Sequence, residues 1–342
     1  MLRKSLVISC TIAMAISCTT PSTLPTDRGL VRYEFARVRM GVPFRAVFYA
    51  ATATKARSAA SAIFARLTEL DRRLSDWTAT SELMRLCAHA GDGEFHEVSS
   101  DLLRVLQHAE RLAQRTHGAF NVTVGPFVAL WRRARKIGKL PSNQALSRAA
   151  NAVGRKYVQL SPEHSSVLLI QRDMRLDLGG IAKGYAIDQC IELLERHGIH
   201  RALIDGGGDI RVSHAPPGKR HWVIAVQSGD SETHERLALV DRAVATSGDT
   251  MQFVEIDGVR YSHIIDPRTG LGQTDRRAAT VVAKTCIEAD GLATAGCVLP
   301  TEEAIRVIEA CAADGVLHRR RDDVVEMHET TGYRRLLAAA PE

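Results

Sequence analysis

Asp290 and Thr294 stand four residues apart in the run Ala289-Asp290-Gly291-Leu292-Ala293-Thr294-Ala295. On a helix this spacing puts a carboxylate and a hydroxyl on one face, half a site for Mg²⁺, which takes hard oxygen donors and few protein ligands. The same pair also suits a solvated helix face or a hydrogen bond at a helix start. Upstream, Leu176-Asp177-Leu178-Gly179-Gly180-Ile181-Ala182-Lys183-Gly184-Tyr185 reads as a strand closed by Asp177, a glycine turn and a helix. A glycine turn into a helix offers free N–H groups and a positive dipole end to a phosphate, and Lys183 adds a point charge; the alternative is a plain connection with a surface lysine. Asp205-Gly206-Gly207-Gly208-Asp209 reads as a turn between strands, and its three glycines suit a close backbone approach. His263 precedes the turn Asp266-Pro267-Arg268-Thr269-Gly270 and sits near a strand end, a place for a general base or for a hydrogen-bonded core histidine.

The elements that must position these residues follow from periodicity. Val31 to Arg39 and Pro43 to Ala50 read as strands around a turn at Gly41. Ala59, Ile63, Leu67, Leu70 and Leu74 repeat at helical spacing. Ser99-Ser100 caps a second helix with apolar positions Leu102, Leu106, Ala109 and Ala113, ending before Gly118. Phe127 to Ile137 and Ser142 to Ala152 give two more. Beyond Tyr157 short strands dominate: Val167 to Ile170, Ala202 to Asp205, Trp222 to Val226, Val254 to Ile265 in two pieces and Ala278 to Ala283. Ile187, Ile191 and Leu194 mark the buried face of the helix after Gly180. Helices near Glu288 to Cys297 and Thr301 to Ala312 precede a terminal strand pair. The class expected is α+β, with helices clustered in the N-terminal half and no internal repeat.

At the start of the chain, Arg3 and Lys4 precede an apolar stretch from Ser5 to Ile16 that is too short to span a bilayer. This reads as an export signal over residues 1–17. Ala15-Ile16-Ser17-Cys18 resembles a bacterial lipobox, in which Cys18 takes lipid, with plain secretion as the alternative. Residues 18–29, rich in Thr, Pro and Ser, read as a tether, and 30–342 as one domain. Losing Arg3 and Lys4 lowers the formal charge from +6 to +4, which is no nucleic-acid signature. His318-Arg319-Arg320-Arg321 reads as a solvated turn face, or at most an electrostatic aid to anionic substrates. Five cysteines remain beyond Cys18, namely Cys87, Cys190, Cys286, Cys297 and Cys311, and no CxxC spacing exists. That disfavours a zinc site or a full disulfide framework and leaves room for one bridge in an oxidising compartment. No G-x-G-x-x-G opens a helix after a strand, so an NAD-type oxidoreductase is disfavoured.

The motifs, taken in order, resemble those of the bacterial ApbE-type FAD:protein FMN transferases. The likeness runs from Met40-Gly41 through Leu74-Ser75-Asp76-Trp77, Ser81-Glu82-Leu83, Thr116-His117-Gly118-Ala119-Phe120-Asn121, Pro126 and Trp131. It continues through Asp177 to Asp188, Gly207-Gly208-Asp209, Thr246-Ser247-Gly248-Asp249, His263 to Gly270 and Ala289 to Thr294. The resemblance implies ApbE-like (T-fold-like) mixed sheets and an FAD site lined by Met40, Trp77, Ala119, Phe120, Asn121, Asp177 and Lys183. It further implies Mg²⁺ held by the Gly180 carbonyl, Asp290 and Thr294, with His263 near the reacting phosphate and His263 or Asp290 taking the proton of the incoming hydroxyl. FMN would pass to a Thr or Ser of an acceptor flavoprotein, a subunit of an exported or membrane respiratory complex, and AMP would leave. The alternatives are an FAD pyrophosphatase and a non-catalytic FAD-binding lipoprotein. Localisation would be periplasm-facing, anchored to the inner or outer membrane through the lipid alone, or free in the periplasm. Asn121 stands where the family has Asp, Thr250 where an aromatic is common, and Trp77 where Tyr is commoner, a larger π-face for stacking.

Overall fold

Met40 and Gly41, at φ 49° and 77°, link β1 (Val31–Arg39) to β2 (Val42–Ala50). A two-residue link with both φ positive matches the right-handed twist of a hairpin. The remaining strands are β3 (His96–Glu97), β4 (Val158–Ser161), β5 (Ser166–Leu169), β6 (Ala202–Gly206), β7 (Asp209–Val212), β8 (Trp222–Gln227), β9 (His234–Leu239), β10 (Arg242–Gly248), β11 (Phe253–Ile256), β12 (Val259–Ser262), β13 (Arg276–Ala283), β14 (Asp314–Arg321) and β15 (Val324–Glu329). The helices are α1 (Ala53–Leu74), α2 (Glu82–Ala88), α3 (Ser100–Arg115), α4 (Gly125–Ile137), α5 (Asn143–Ala150), α6 (Ala182–Arg196), α7 (Cys286–Val298) and α8 (Thr301–Ala310). The computed structural model describes residues 29–227, 234–249, 252–321 and 324–339. The expected export signal, Cys18, all of the tether but its last residue, and Thr250 lie outside them.

Eight strands form one antiparallel sheet in the order β1-β2-β6-β7-β10-β13-β14-β15. Period-two alternation gives it two apolar faces. Phe44, Ala46 and Phe48 of β2, Ala243 and Ala245 of β10, and Ala279, Val281 and Ala283 of β13 enter the core shared with α1, α6 and α7. Between them Val47, Val244 and Val282 enter a second core under the β8–β9 hairpin, with Trp222, Leu237 and Tyr333. The alanines on the helix side let α7 lie close, and a Cβ at Gly296 would come within 2.9 Å of the Ala279 methyl. A third cluster joins Phe127, Trp131 and Ala134 of α4 to Ile256 and Ile265.

The expected helices and strands are present within a few residues, and the mixed α+β class holds. Thr52 caps α1 and Ser99 caps α3, each accepting from the backbone N–H three residues on. The sequence reading missed α2, because seven residues with Leu83, Leu86 and Cys87 buried show too little periodicity. Three further readings are corrected. Asp177 closes no strand: β5 ends at Leu169, and Met174 to Leu178 run without a sheet partner. His318 and Arg319 are buried on β14, and the Arg319 guanidinium donates to the Leu299 carbonyl at 2.7 Å, at the C-terminal end of α7. The solvated turn therefore gives way to a strand between two neighbours. The five described cysteines are separate buried thiols, so the allowed bridge does not form among them.

The crossing of α6 and α7 sets the centre of the helical layer. Asp188 of α6 accepts from the backbone N–H groups of Cys286 at 2.8 Å and Ile287 at 2.9 Å, capping α7, while Arg211 grips the same carboxylate at 2.6 Å. In return Asp290 of α7 accepts from the Gly184 N–H in the first turn of α6 at 3.1 Å. A side chain at Gly184 would overlap the Cys286 carbonyl. Gly184→Ala is therefore expected to cost about 3 kcal/mol or more of stability, read as a lower urea midpoint with an unchanged slope.

Candidate active site

Hairpin turns and helix starts converge at one end of the large sheet. The register Phe44↔Gly206 brings the Met40-Gly41 turn beside the Gly207-Gly208 turn. Gly207 and Gly208 take φ 70° and 98°, a second two-residue hairpin link, and the Gly207 N–H donates to the Pro43 carbonyl at 3.0 Å. The close approach expected at this glycine run is thus made by the neighbouring hairpin, since a Cβ at Gly206 would meet the Phe44 ring and one at Gly207 the Val42 side chain. Directly after the turn, Asp209 opens β7, buried and aimed at α6.

Around this point the sequence-distant residues Gly180, Lys183, Asp209, Ser247, Asp290 and Thr294 come together. The Lys183 ammonium lies 2.5 Å from Asp209 and 3.7 Å from Asp290. Thr294 Oγ1 is 3.3 Å from the Ser247 hydroxyl. A Cβ added to Gly180 would sit 2.7 Å from Thr294 Oγ1, so only glycine leaves that space open. Asp290 is 2% exposed. Burial pushes its carboxyl up to about 7, with the Lys183 charge opposing and Asp209 adding to the rise. Burial works against the Lys183 charge, but Asp290 and Asp209 outweigh it and hold the ammonium protonated above its ordinary range. The lysine assigned to an anion from sequence thus lies against two carboxylates.

A second group of residues adjoins the first through the Asp177–Gly180 turn. The Asp177 carboxylate accepts from the Gly179 N–H at 2.8 Å, and the Asp177 N–H donates to the Val122 carbonyl at 2.8 Å. Arg132 of α4 reaches Asp76 at 2.6 Å and Asp177 at 3.5 Å, and its guanidinium lies 3.9 Å over the Trp77 ring. Trp77 is 78% exposed, so its other ring face looks into solvent. Burial and the neighbouring Asp76 raise the Asp177 pKa, with Arg132 and Arg175 opposing. Asn121 takes up its side-chain oxygen locally, accepting from the Thr123 N–H at 3.0 Å and the Thr123 hydroxyl at 2.8 Å. Ala119 and Phe120 are buried beside it, and Met40 is half-buried.

His263 follows β12 directly, and its Nδ1 lies 2.9 Å from the Gln252 carbonyl. A carbonyl only accepts, so Nδ1 carries the proton and Nε2 keeps its lone pair in the neutral ring. The residue is partly open to solvent, yet desolvation by the protein packed around the ring lowers its pKa, with Arg135 and Lys183 adding to the fall and the Gln252 hydrogen bond and Asp249 opposing it. Trp131 holds the following turn by donating from Nε1 to the Gly270 carbonyl at 2.8 Å.

Sequence reasoning singled out Gly180, Lys183, Asp290 and Thr294, and the structure brings them to one place. It assigned no role to Asp188, Asp209, Ser247, Asp76 or Arg132. Asp188 did leave a signal, an acidic residue inside the apolar stripe of Ile187 and Ile191; Asp76, Asp209 and Ser247 stand inside motifs quoted for the family likeness, and Arg132 stands outside them.

Comparison with known proteins is consistent over most of the chain. The model of the ApbE family matches residues 40–317. The FAD:protein FMN transferase of Klebsiella pneumoniae is 31% identical over 315 residues, 90% of this chain and 89% of that protein. The same-named protein of Treponema pallidum is 33% identical over 295 residues, 81% of each chain. The solved flavin transferase ApbE from Vibrio cholerae superposes with a TM-score of 0.81 at 29% identity, covering 90% of this chain and 100% of that one.

Removing the single cation between two buried carboxylates tests the electrostatics of the site. Lys183→Met is expected to lose about 3 kcal/mol in urea unfolding at mildly alkaline pH, and Lys183→Arg to lose less.

Proposed function

The chain belongs to the ApbE family and is a transferase of the FAD:protein FMN transferase class, and from that premise we propose how its own residues carry the transfer. FMN passes from FAD to a Thr or Ser hydroxyl of an acceptor flavoprotein, and AMP leaves. The observation that carries this reading is the meeting of Gly180, Asp290 and Thr294 at one point beside Lys183. Their donors, a backbone carbonyl, a carboxylate and a hydroxyl, are the hard oxygens that suit Mg²⁺, and the missing Cβ at Gly180 leaves room beside Thr294. Mg²⁺ bound there would neutralise the charge of the FAD pyrophosphate.

The protein supplies the rest. Lys183, held protonated in the first turn of α6, exchanges part of its carboxylate pairing for the pyrophosphate, and the helix dipole acts with it. Trp77, braced by Arg132 on one face, offers the other to a flavin or adenine ring. Met40, Ala119, Phe120, Asn121 and Asp177 complete the FAD surface. His263 accepts the proton of the incoming hydroxyl at Nε2, because Nδ1–H is committed to Gln252. Asp290 is the second candidate for that proton. The N-terminal sequence supports export with lipid on Cys18. The enzyme then faces the periplasm from a membrane, or works free there if Cys18 is unmodified, and its acceptors are exported or membrane-bound subunits of respiratory complexes.

Incubation with FAD, Mg²⁺ and a candidate acceptor domain, followed by AMP release and acceptor mass, tests the reading. An acceptor heavier by one FMN, with the gain lost in Asp290→Ala and after chelation of Mg²⁺, is the expected result. Free FMN with AMP would replace the transferase by a pyrophosphatase, and intact bound FAD would leave only a binding protein.

The proton role of His263 has its own signature. Its lowered pKa keeps the base form populated below the ordinary histidine value, so the transfer rate should hold steady around neutrality and fall only as the pH drops through that lowered value. In His263→Gln the rate is expected to drop by about 10²-fold or more, and the acid limb should vanish from the pH profile.

A further inference from the structure

A cluster away from the Asp290 centre carries a second kind of chemistry. His89, Asp92 and His96 follow one another as H-x-x-D-x-x-x-H. One nitrogen of each ring and one carboxylate oxygen all lie within 4.8 Å of one another. Asp92 Oδ2 is 3.2 Å from His89 Nδ1 and 2.8 Å from His96 Nε2, and the rings stack with centroids 4.0 Å apart. Two donors of a tetrahedral ion with bonds of about 2.0 Å stand about 3.3 Å apart, so the three atoms need only small shifts to close on one ion.

The backbone holds the three groups in place without a metal. His89 ends α2, and His96 pairs with Val167 in β3–β5. Between them the Gly91 N–H donates to the Leu169 carbonyl at 2.8 Å. Gly91 and Gly93 take φ 84° and 87°, turning the chain so that both rings face one carboxylate. The other Asp92 oxygen accepts from the Glu94 N–H at 2.9 Å, which fixes the carboxylate plane. The His89, Asp92 and His96 side chains are 54%, 36% and 26% exposed, so a bound ion keeps positions open to water.

We propose that His89, Asp92 and His96 form a surface site for a divalent transition-metal ion, Zn²⁺ first among them, distinct from the Asp290 centre. Two imidazoles with one carboxylate select Zn²⁺ or its transition-series neighbours over Mg²⁺ and Ca²⁺, which prefer oxygen alone. Three protein donors and an open fourth position match sites in which water or a partner's side chain completes the shell.

Zinc titration of the full chain in excess Mg²⁺, by calorimetry and by competition with a chromogenic chelator, tests this. One zinc equivalent is expected in the unsubstituted protein and in Asp290→Ala, with affinity reduced at least about tenfold in His89→Gln and His96→Gln. Co²⁺ added in place of Zn²⁺ should show d–d absorption that those two variants lose, while far-UV circular dichroism confirms that they fold. Absence of a zinc equivalent in the unsubstituted protein, undiminished affinity in both histidine variants, or loss of the equivalent in Asp290→Ala alone would overturn the proposal.

Discussion

Two buried helices cap each other, and the candidate site depends on that exchange. A helix start carries N–H groups that its own turns cannot satisfy, and burying them unpaired is costly. Asp188 of α6 satisfies the first amides of α7, and Asp290 of α7 satisfies one of α6. The exchange needs the two backbones close together, which Gly184 permits. It also fixes their relative rotation. With that set, Lys183 falls between Asp209 and Asp290, and Thr294 falls against Gly180.

Charge holds α7 at its other end too. Arg277 and Arg319 donate to its last carbonyls, Cys297 to Leu299, so an acid sits at the amino end and two bases at the carboxyl end. Both match the helix dipole. Such anchoring matters because α7 is apolar on nearly every side, and an apolar core alone would tolerate sliding or rotation. The charged contacts at its two ends specify a single placement of Asp290 and Thr294.

The stretch from Gln171 to Ile181 has no regular structure, yet it is tied at successive points. Arg175 donates to the Asp76 carbonyl at 2.8 Å, Leu176 N–H to Cys87 Sγ at 3.3 Å and Asp177 N–H to Val122 at 2.8 Å. Gly125 packs so closely on the Arg175 carbonyl that a side chain there would collide with it. This pinned segment joins the Trp77–Arg132 surface to the Gly180–Asp290 centre. A ligand with an aromatic ring and a pyrophosphate would therefore meet a largely preformed surface.

The sequence by itself determined the local elements and the kinds of chemistry present. The spacing of Ile63, Leu67, Leu70 and Leu74 specifies α1, Ser99 marks the start of α3, and Asp290 with Thr294 was legible as an oxygen pair inside an apolar helix. Each of these rests on neighbours within a turn or two, where backbone geometry alone decides what can touch. Tertiary structure decided the partners. That Lys183 ends on Asp209, that Asp188 caps a helix beginning 98 residues later, that Arg319 leaves solvent for a helix end, and that Arg132 lies over Trp77 are contacts between distant segments. No periodicity encodes them, because a residue's long-range neighbours are set by how whole elements pack and not by the spacing along its own chain.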